Sequence, residues 1–134
     1  MDIVKDDEWG LYPNFKRAEF ECHHTGFCEM THKFMALLQQ VRNQYGKPMI
    51  INSGYRDLSH PVERSKHEPG EHTLGLAADI RVYGTDAMQL VHDAVLFGFM
   101  RIGVSQKGEL SARYIHLGLG NQENKRFPVA IWSY

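Results

Sequence analysis

The segment GLAADIRV, residues 75–82, alternates between two kinds of side chain. One face carries the apolar residues Leu76, Ala78, Ile80 and Val82, and the other carries Gly75, Ala77, Asp79 and Arg81. Successive side chains of a strand point to opposite faces, so this segment predicts a β-strand. A carboxylate inside such a strand must be ion-paired, hydrogen-bonded or metal-bound if it is buried. Asp79 is therefore the first candidate functional residue.

Two long helices are predicted beside this strand. The first begins at a Thr31 cap, ends at Gly46 and Pro48, and carries an apolar stripe of Phe34, Leu37, Leu38, Val41 and Tyr45. The second runs from a Thr85 cap to Gly98, with an apolar stripe of Met88, Val91 and Val95. Both stripes repeat at intervals of three and four residues, which is the spacing of one helix face.

Further strands are predicted in PMIINSGYR (48–56), MRIGVS (100–105) and RYIHLGL (113–119), the last two as a possible hairpin. A long polar loop is expected over 57–71, and the tail AIWSY is expected to pack on the body. This order of elements predicts an α+β fold with a mainly antiparallel sheet and two principal helices. At 134 residues the chain, 1–134, is expected to form a single domain.

Charge argues against several classes of partner. Fifteen basic and sixteen acidic residues give a net charge of −1, without a basic cluster suited to nucleic acid. The acidic start MDIVKDDEWG does not resemble a signal peptide, and no apolar run has membrane-spanning length. We therefore expect a soluble protein made in the cytoplasm that binds neither nucleic acid nor membrane. The sequence leaves its oligomeric state open.

Eight histidines are many for this length, and His72 and His116 join Asp79 as possible metal ligands. Zinc in catalytic sites commonly takes three His or carboxylate ligands and leaves one position open. His72 and Asp79 are too far apart along a straight strand, so a bend at Gly75 is needed. His116 would face the same point if its strand lies near that of Asp79. Taken alone, a histidine in an apolar strand is more often a satisfied core residue than a ligand.

Three sequence blocks carry a resemblance to a known family. The blocks SGYR (53–56), EHTLGLAADI (71–80) and RYIHLGL (113–119) resemble the signatures of the zinc D-alanyl-D-alanine carboxypeptidases, which have the Hedgehog/DD-peptidase fold. The helix before GKPMIINSGYR and the closing IWSY are similar to those of small phage-encoded members. The resemblance covers nearly the whole chain.

The resemblance implies a function and a set of site residues. His72, Asp79 and His116 would bind one zinc ion, and Arg56 would contact the substrate in the active site. Two further residues, Ser53 and Tyr55, would shape the same wall or be packing residues. The implied reaction is hydrolysis of an amide bond in a peptidoglycan peptide, by a carboxypeptidase or an endopeptidase. The implied setting is a phage-encoded, endolysin-like protein that acts in the host bacterium or from a virion.

The general base is where the sequence departs from the family pattern. Many relatives carry an acid two residues after the last histidine ligand or three before it, and here these positions are Gly118 and Arg113. Glu109 is the favoured replacement; Glu71 and Glu68 are weaker candidates. Gly118 therefore motivates an alternative, a zinc-binding structural or virion protein of the same fold without hydrolytic activity.

A second group of possible ligands lies near the amino terminus, in CHHTGFCEMTH, residues 22–32. It contains Cys22, His23, His24, Cys28 and His32. The residue types suit zinc, but the spacing matches none of the usual two-pair patterns. A disulfide is disfavoured in a reducing cytoplasm, so reduced thiols are expected and a second metal stays an open alternative.

Overall fold

The computed structural model describes residues 2–66, 70–120 and 127–134. Within these ranges the helices are α1 (Arg17–Phe20), α2 (His32–Tyr45), α3 (Pro61–Arg64) and α4 (Gly84–Phe97). The strands are β1 (Ile50–Ser53), β2 (Ala77–Arg81), β3 (Arg101–Ser105), β4 (Tyr114–Gly118) and β5 (Ala130–Ser133). Short 3-10 helices cover Asp6–Leu11, Glu71–Leu74 and Leu110–Ala112.

The strands form one sheet in the order β1-β2-β4-β3-β5. The pairs β1–β2, β2–β4 and β3–β4 are antiparallel, and β5 joins the edge parallel to β3. The predicted α+β fold with a mainly antiparallel sheet is confirmed, as are the β3–β4 hairpin and the packing of the tail. One face of the sheet supplies the core, with Ala78, Ile80, Ile102, Ile115 and Leu117 buried. The other face is left for polar side chains.

Helix α2 follows its prediction closely. The Thr31 hydroxyl accepts a hydrogen bond from the Phe34 amide at 3.1 Å, and Gly46 ends the helix with a φ of 74°. A side-chain cap at the start and a left-handed glycine at the end are what helix termini require. The buried residues include Phe34, Leu38, Val41 and Tyr45.

For helix α4, the predicted apolar face was wrong by one position. Met88 is 74% exposed and Val95 is 56% exposed, whereas the buried residues are Ala87, Leu90, Asp93 and Ala94. Residues 87, 90 and 94 repeat with the same intervals as 88, 91 and 95, so periodicity alone did not separate them. Packing against α2 favours the face with two alanines, because small side chains let two helices approach closely. Tyr83, rather than Thr85, stands at the cap position.

The predicted loop over 57–71 contains a turn of helix, α3, which it was not expected to have. Pro61 occupies the first helical turn, and His60 Nδ1 accepts a hydrogen bond from the Val62 amide at 3.1 Å. Proline is favoured at this place because its missing N–H has no helical partner to lose. Residues 67–69, which include the candidate general base Glu68, lie outside the described residues.

None of the helices in the described ranges has both the length and the apolar character needed to span a bilayer.

Candidate metal centre

Asp79 and His116 lie directly opposite each other in the register of β2 and β4. Both side chains point to the sheet face away from the helices, because their neighbours Ala78, Ile80 and Ile115 are in the core. The strands that carry the two candidate ligands are therefore not merely near each other but hydrogen-bonded partners. Asp79 is 8% exposed and His116 is 5% exposed.

The predicted bend at Gly75 is confirmed and brings His72 over the same sheet face. Gly75 ends the 3-10 helix Glu71–Leu74 with a φ of 69°, which L side chains rarely adopt. A Cβ on Gly75 would also lie 2.9 Å from the Met30 Cα, so backbone geometry and close packing both require glycine. After this reversal His72 Nε2 lies 3.5 Å from Asp79 Oδ1.

The donor atoms of His72, Asp79 and His116 are close enough to share one ion. His116 Nδ1 is 3.0 Å from Asp79 Oδ1, and the ligand atoms of the three residues all lie within 4.8 Å of one another. Tetrahedral zinc with bonds of about 2 Å separates its ligand atoms by roughly 3.3 Å. Two imidazoles and a carboxylate are a donor set that zinc prefers, and all three residues are buried. The site therefore fits a zinc ion.

The second nitrogen of each imidazole has its own hydrogen-bond partner. His72 Nδ1 donates to the Gly54 carbonyl at 2.7 Å, and His116 Nε2 donates to Glu71 Oε1 at 2.5 Å. Such partners fix the tautomer and the orientation of a metal-binding histidine. They leave His72 Nε2 and His116 Nδ1 to face Asp79, which is the arrangement that a metal site needs.

Charge in this group is balanced by opposite partners. Burial alone would raise the pKa of Asp79, but hydrogen bonds and charge from His116 and His72 hold that pKa far below its usual range. Burial alone would also raise the pKa of Glu71, and His116 and Arg101 outweigh it and keep that pKa low. For His116, burial lowers the pKa and the two carboxylates raise it, with a net increase. The buried carboxylates are therefore held as anions, which is the form that attracts a cation.

Arg56 lies beside Asp79 and bridges it to a second buried carboxylate. Its guanidinium donates from Nη2 to Asp79 Oδ2 at 3.3 Å, from Nη1 to Glu63 Oε2 at 3.1 Å, and from Nε to the Ser53 hydroxyl at 3.1 Å. Burial alone would raise the pKa of Glu63, but hydrogen bonds from the Gly70 amide, Lys66 and Arg56 hold that pKa below its ordinary value. Arg56 is thus fixed in place by three partners.

The three candidate ligands lie in a cleft of about 320 Å³. Its lining also includes Arg56, Lys66, Glu71, Arg101, Tyr114, Phe127, Trp132 and Tyr134. A larger depression of about 630 Å³ lies at the other end of β2, and its lining carboxylate, Asp86, is ion-paired with Lys47. We place the functional site in the smaller cleft, because it contains the ligand cluster and the buried charges.

The remaining predicted site residues differ in whether the structure places them near the candidate ligands. Ser53 contacts the site through Arg56, whereas Tyr55 belongs to the core and its hydroxyl donates to Glu29 at 3.4 Å. Glu109 is exposed, precedes the 3-10 helix Leu110–Ala112 and is not among the described residues that line the cleft. Neither Tyr55 nor Glu109 is therefore brought together with the candidate ligands.

The amino-terminal cysteines are free thiols, with Cys22 buried and Cys28 partly buried. His32, from the same segment, is bonded elsewhere, since its Nδ1 lies 2.5 Å from the Tyr12 hydroxyl and its Nε2 lies 3.2 Å from Glu8 Oε1. Among the residues that the structure describes, His72, Asp79 and His116 form the group that could hold a metal ion.

The sequence interpretation missed several residues of the cleft, among them Arg101 on β3 and Trp132 and Tyr134 at the carboxyl end. The Arg101 guanidinium lies 5.0 Å from the Trp132 ring centre, and Trp132 packs on the His116 imidazole. A signal was present in Gly103 and Gly118, because a glycine inside a strand often marks the close approach of another group.

Comparison with known proteins assigns the family. No curated protein matches the chain. A family model described as Peptidase M15 matches residues 13–118, which is 106 of the 134 residues and includes all three candidate ligands. Peptidases of this family are zinc metallopeptidases, and the three sequence blocks of the chain resemble the motifs of the D-alanyl-D-alanine carboxypeptidases among them. The chain therefore belongs to the peptidase M15 family.

Proposed function

We propose that this protein hydrolyses an amide bond in the peptide of bacterial peptidoglycan, with one zinc ion held by His72, Asp79 and His116. The observation that carries the proposal is the buried His-Asp-His cluster on the floor of a cleft, in a chain of the peptidase M15 family. The peptidoglycan substrate and an endolysin-like, phage-encoded role rest on the resemblance of the sequence blocks.

A bound zinc ion would supply Lewis acidity, polarising the scissile carbonyl and lowering the pKa of a water molecule toward neutrality. The protein contributes orientation and charge. His72 and His116 are held by the Gly54 carbonyl and by Glu71, so their free nitrogens are already turned toward Asp79. Arg56 is fixed beside Asp79 and presents a planar set of donors to a carbonyl or carboxylate oxygen of the peptide.

The charge of the cleft suits an acidic peptide. Three carboxylates in or directly behind the cleft lining, Glu63, Glu71 and Asp79, are matched by three cations of the lining, Arg56, Lys66 and Arg101. A dication at the ligand cluster would therefore give the cleft a net positive charge, which attracts a peptide rich in carboxylates. Peptidoglycan stem peptides carry such groups on their D-glutamate and at their terminus.

One side of the cleft is aromatic. Tyr114, Trp132 and Tyr134 lie together, with the rings of Tyr114 and Tyr134 centred 5.3 Å apart. Burial is the main cause that raises the pKa of Tyr134 to about 12, so its hydroxyl stays protonated and can donate a hydrogen bond. These rings provide an apolar wall for the small side chains of the peptide.

One observation favours the alternative of a zinc-binding protein without hydrolytic activity. Both oxygens of Glu71 already accept hydrogen bonds, and Glu109 lies away from the described cleft residues. Glu71 is therefore committed to these donors and Glu109 is not beside the candidate ligands, so neither is placed as a general base in this arrangement. The loss of a general base commonly costs a factor of about 10² to 10⁴ in rate.

The experiment that separates the two functions is digestion of purified peptidoglycan by zinc-loaded protein, followed by mass spectrometry. Release of alanine from the end of the stem peptide would identify a carboxypeptidase, and a new internal amino terminus would identify an endopeptidase. Cleavage should stop with a chelator or with His116→Ala. It should persist with His92→Ala, which removes a histidine whose side chain is 69% exposed on α4. If the protein binds zinc and cuts no bond, the non-hydrolytic function is correct.

A further inference from the structure

The Glu71 carboxylate is buried against β4, although it lies 45 residues before its partner His116. Glu71 is 4% exposed and accepts three hydrogen bonds. Oε1 accepts from His116 Nε2 at 2.5 Å and from Arg101 Nε at 3.0 Å, and Oε2 accepts from the Gly120 amide at 3.1 Å. So complete a set of donors fixes the carboxylate in one position.

Gly118 provides the space for this carboxylate. It follows His116 by two residues on β4, so any side chain there would point to the same sheet face. A Cβ on Gly118 would lie 2.5 Å from the Glu71 Cδ, well inside contact distance. Gly118 does not have a positive φ, so its backbone conformation does not require glycine. The space taken by Glu71 is what excludes a larger residue.

We infer that Glu71 and Gly118 are a matched pair, in which the Glu71 carboxylate is the positioning residue for His116 and Gly118 is the gap that admits it. The inference rests on the proposed function, because the orientation of His116 matters when Nδ1 binds a metal. It also gives a different meaning to Gly118. The Glu71 carboxylate fills the space of the acid expected at that position, but it orients His116 and does not replace the missing general base.

The chemical reason for the pairing is the two-sided nature of imidazole. With Nε2 donating to Glu71, the neutral ring must present the lone pair of Nδ1 toward Asp79. A carboxylate behind a metal-binding histidine also increases the basicity of the ring. Loss of such a partner commonly weakens metal affinity by about 10- to 100-fold.

The test is a double-mutant cycle with the variants Glu71→Ala, Gly118→Asp and their combination. Zinc affinity is measured by competition with a chromophoric chelator, and the unfolding midpoint is measured on metal-free protein. Each single variant should bind zinc about 10- to 100-fold more weakly, Glu71→Ala because His116 loses its partner and Gly118→Asp because two carboxylates forced into one space push His116 out of position. The double variant should recover most of the affinity, since a carboxylate again reaches Nε2.

The control variant is Asp93→Asn, which removes another carboxylate with no exposed side-chain surface, bonded by Gln89 on α4. It should leave zinc affinity unchanged even if the protein becomes less stable. In metal-free protein, Gly118→Asp should lower the unfolding midpoint, and adding Glu71→Ala should restore part of it.

Each contrary result has a distinct meaning. If the two substitutions change the unfolding midpoint of metal-free protein additively, Glu71 and a side chain at position 118 do not compete for one space. If the effects of the two substitutions on the unfolding midpoint are coupled but Glu71→Ala binds zinc as tightly as the wild type, Glu71 does not position His116 for metal binding. Wild-type protein that binds no zinc would overturn the proposed function and, with it, the positioning of a metal ligand, while the metal-free cycle would still decide whether the two residues share one space.

Discussion

The Trp132 indole packs on the His116 imidazole, with ring centres 5.2 Å apart, beside a strand position that has no side chain. That position is Gly103, which is the register partner of His116 on β4 and of Trp132 on β5. A Cβ there would lie 2.8 Å from the indole nitrogen. The wall of the cleft next to His116 therefore depends on a glycine in the middle of β3.

Replacing this glycine should move the indole away from His116. Gly103→Ala is expected to lower the free energy of unfolding by about 1 to 3 kcal/mol, the usual cost of an overpacked site, and to weaken zinc binding. Denaturant unfolding and zinc competition measure the two effects. Gly10→Ala is the matched control, because a Cβ on Gly10 would meet no atom within 4 Å. Equal behaviour of the two variants would contradict the close packing of Trp132 on β3.

A second glycine prediction separates backbone strain from close packing. Gly75 and Gly46 have similar φ values, 69° and 74°, but a Cβ on Gly46 would meet open space. Both alanine variants should lose about 1 to 2 kcal/mol of unfolding free energy from left-handed strain. Gly75→Ala should lose more, because it also presses on Met30, and it alone should weaken zinc binding by displacing His72. Similar losses in both variants would mean that the contact with Met30 relaxes without cost.

The bend and the position of the candidate ligand Asp79 could be predicted from sequence because both depend on local rules. Gly75 stands where a reversal is needed, and strict alternation places Asp79 on the face opposite the core. The face of α4 could not be predicted in the same way. Two sets of residues on α4 repeat with the same period, and the choice between them depends on packing against α2.

The role of Glu71 was hidden for a different reason. Its carboxylate meets His116 across 45 residues of sequence, and this contact depends on the register of β2 with β4. In the sequence, Gly118 signals a missing acid, because the residue that fills its space lies far away along the chain. Whether another carboxylate fills that space depends on the register of the strands, which the residue type at position 118 does not reveal.

Protein stability should depend on the ionisation of Glu63. Its folded-state pKa lies below the ordinary value of 4.5, so the stabilisation is fully present above that pH and is lost as the pH falls through the folded pKa. The difference in unfolding free energy between wild type and Glu63→Gln should be largest near neutral pH and shrink below about pH 4.5. Asp86→Asn, which removes an exposed ion pair with Lys47, should change the free energy of unfolding less than Glu63→Gln does at neutral pH. A difference for Glu63→Gln that is independent of pH would contradict the lowered pKa.

Arg56 should matter for both stability and activity. Arg56→Ala leaves Glu63, whose side chain has no exposed surface, with fewer donors, and is expected to cost about 3 to 5 kcal/mol of unfolding free energy. Arg56→Lys should recover part of the stability but little peptidase activity, because an ammonium group lacks the planar fork that reaches Asp79, Glu63 and Ser53 together. The readouts are denaturant unfolding and the rate of peptidoglycan digestion. Full activity in Arg56→Lys would show that charge alone is sufficient.

Zinc should stabilise the folded protein through the three proposed ligands. Because the ligand atoms converge when the chain is folded, zinc at 100 times its dissociation constant should add about 2.7 kcal/mol to the unfolding free energy. The measurement is the thermal unfolding midpoint with and without added zinc. The increase should disappear in His72→Ala, Asp79→Asn and His116→Ala, and remain in His92→Ala, whose exposed histidine lies outside the cleft. An increase that survives in any of the three ligand variants would remove that residue from the metal centre, because each ligand contributes to one shared ion.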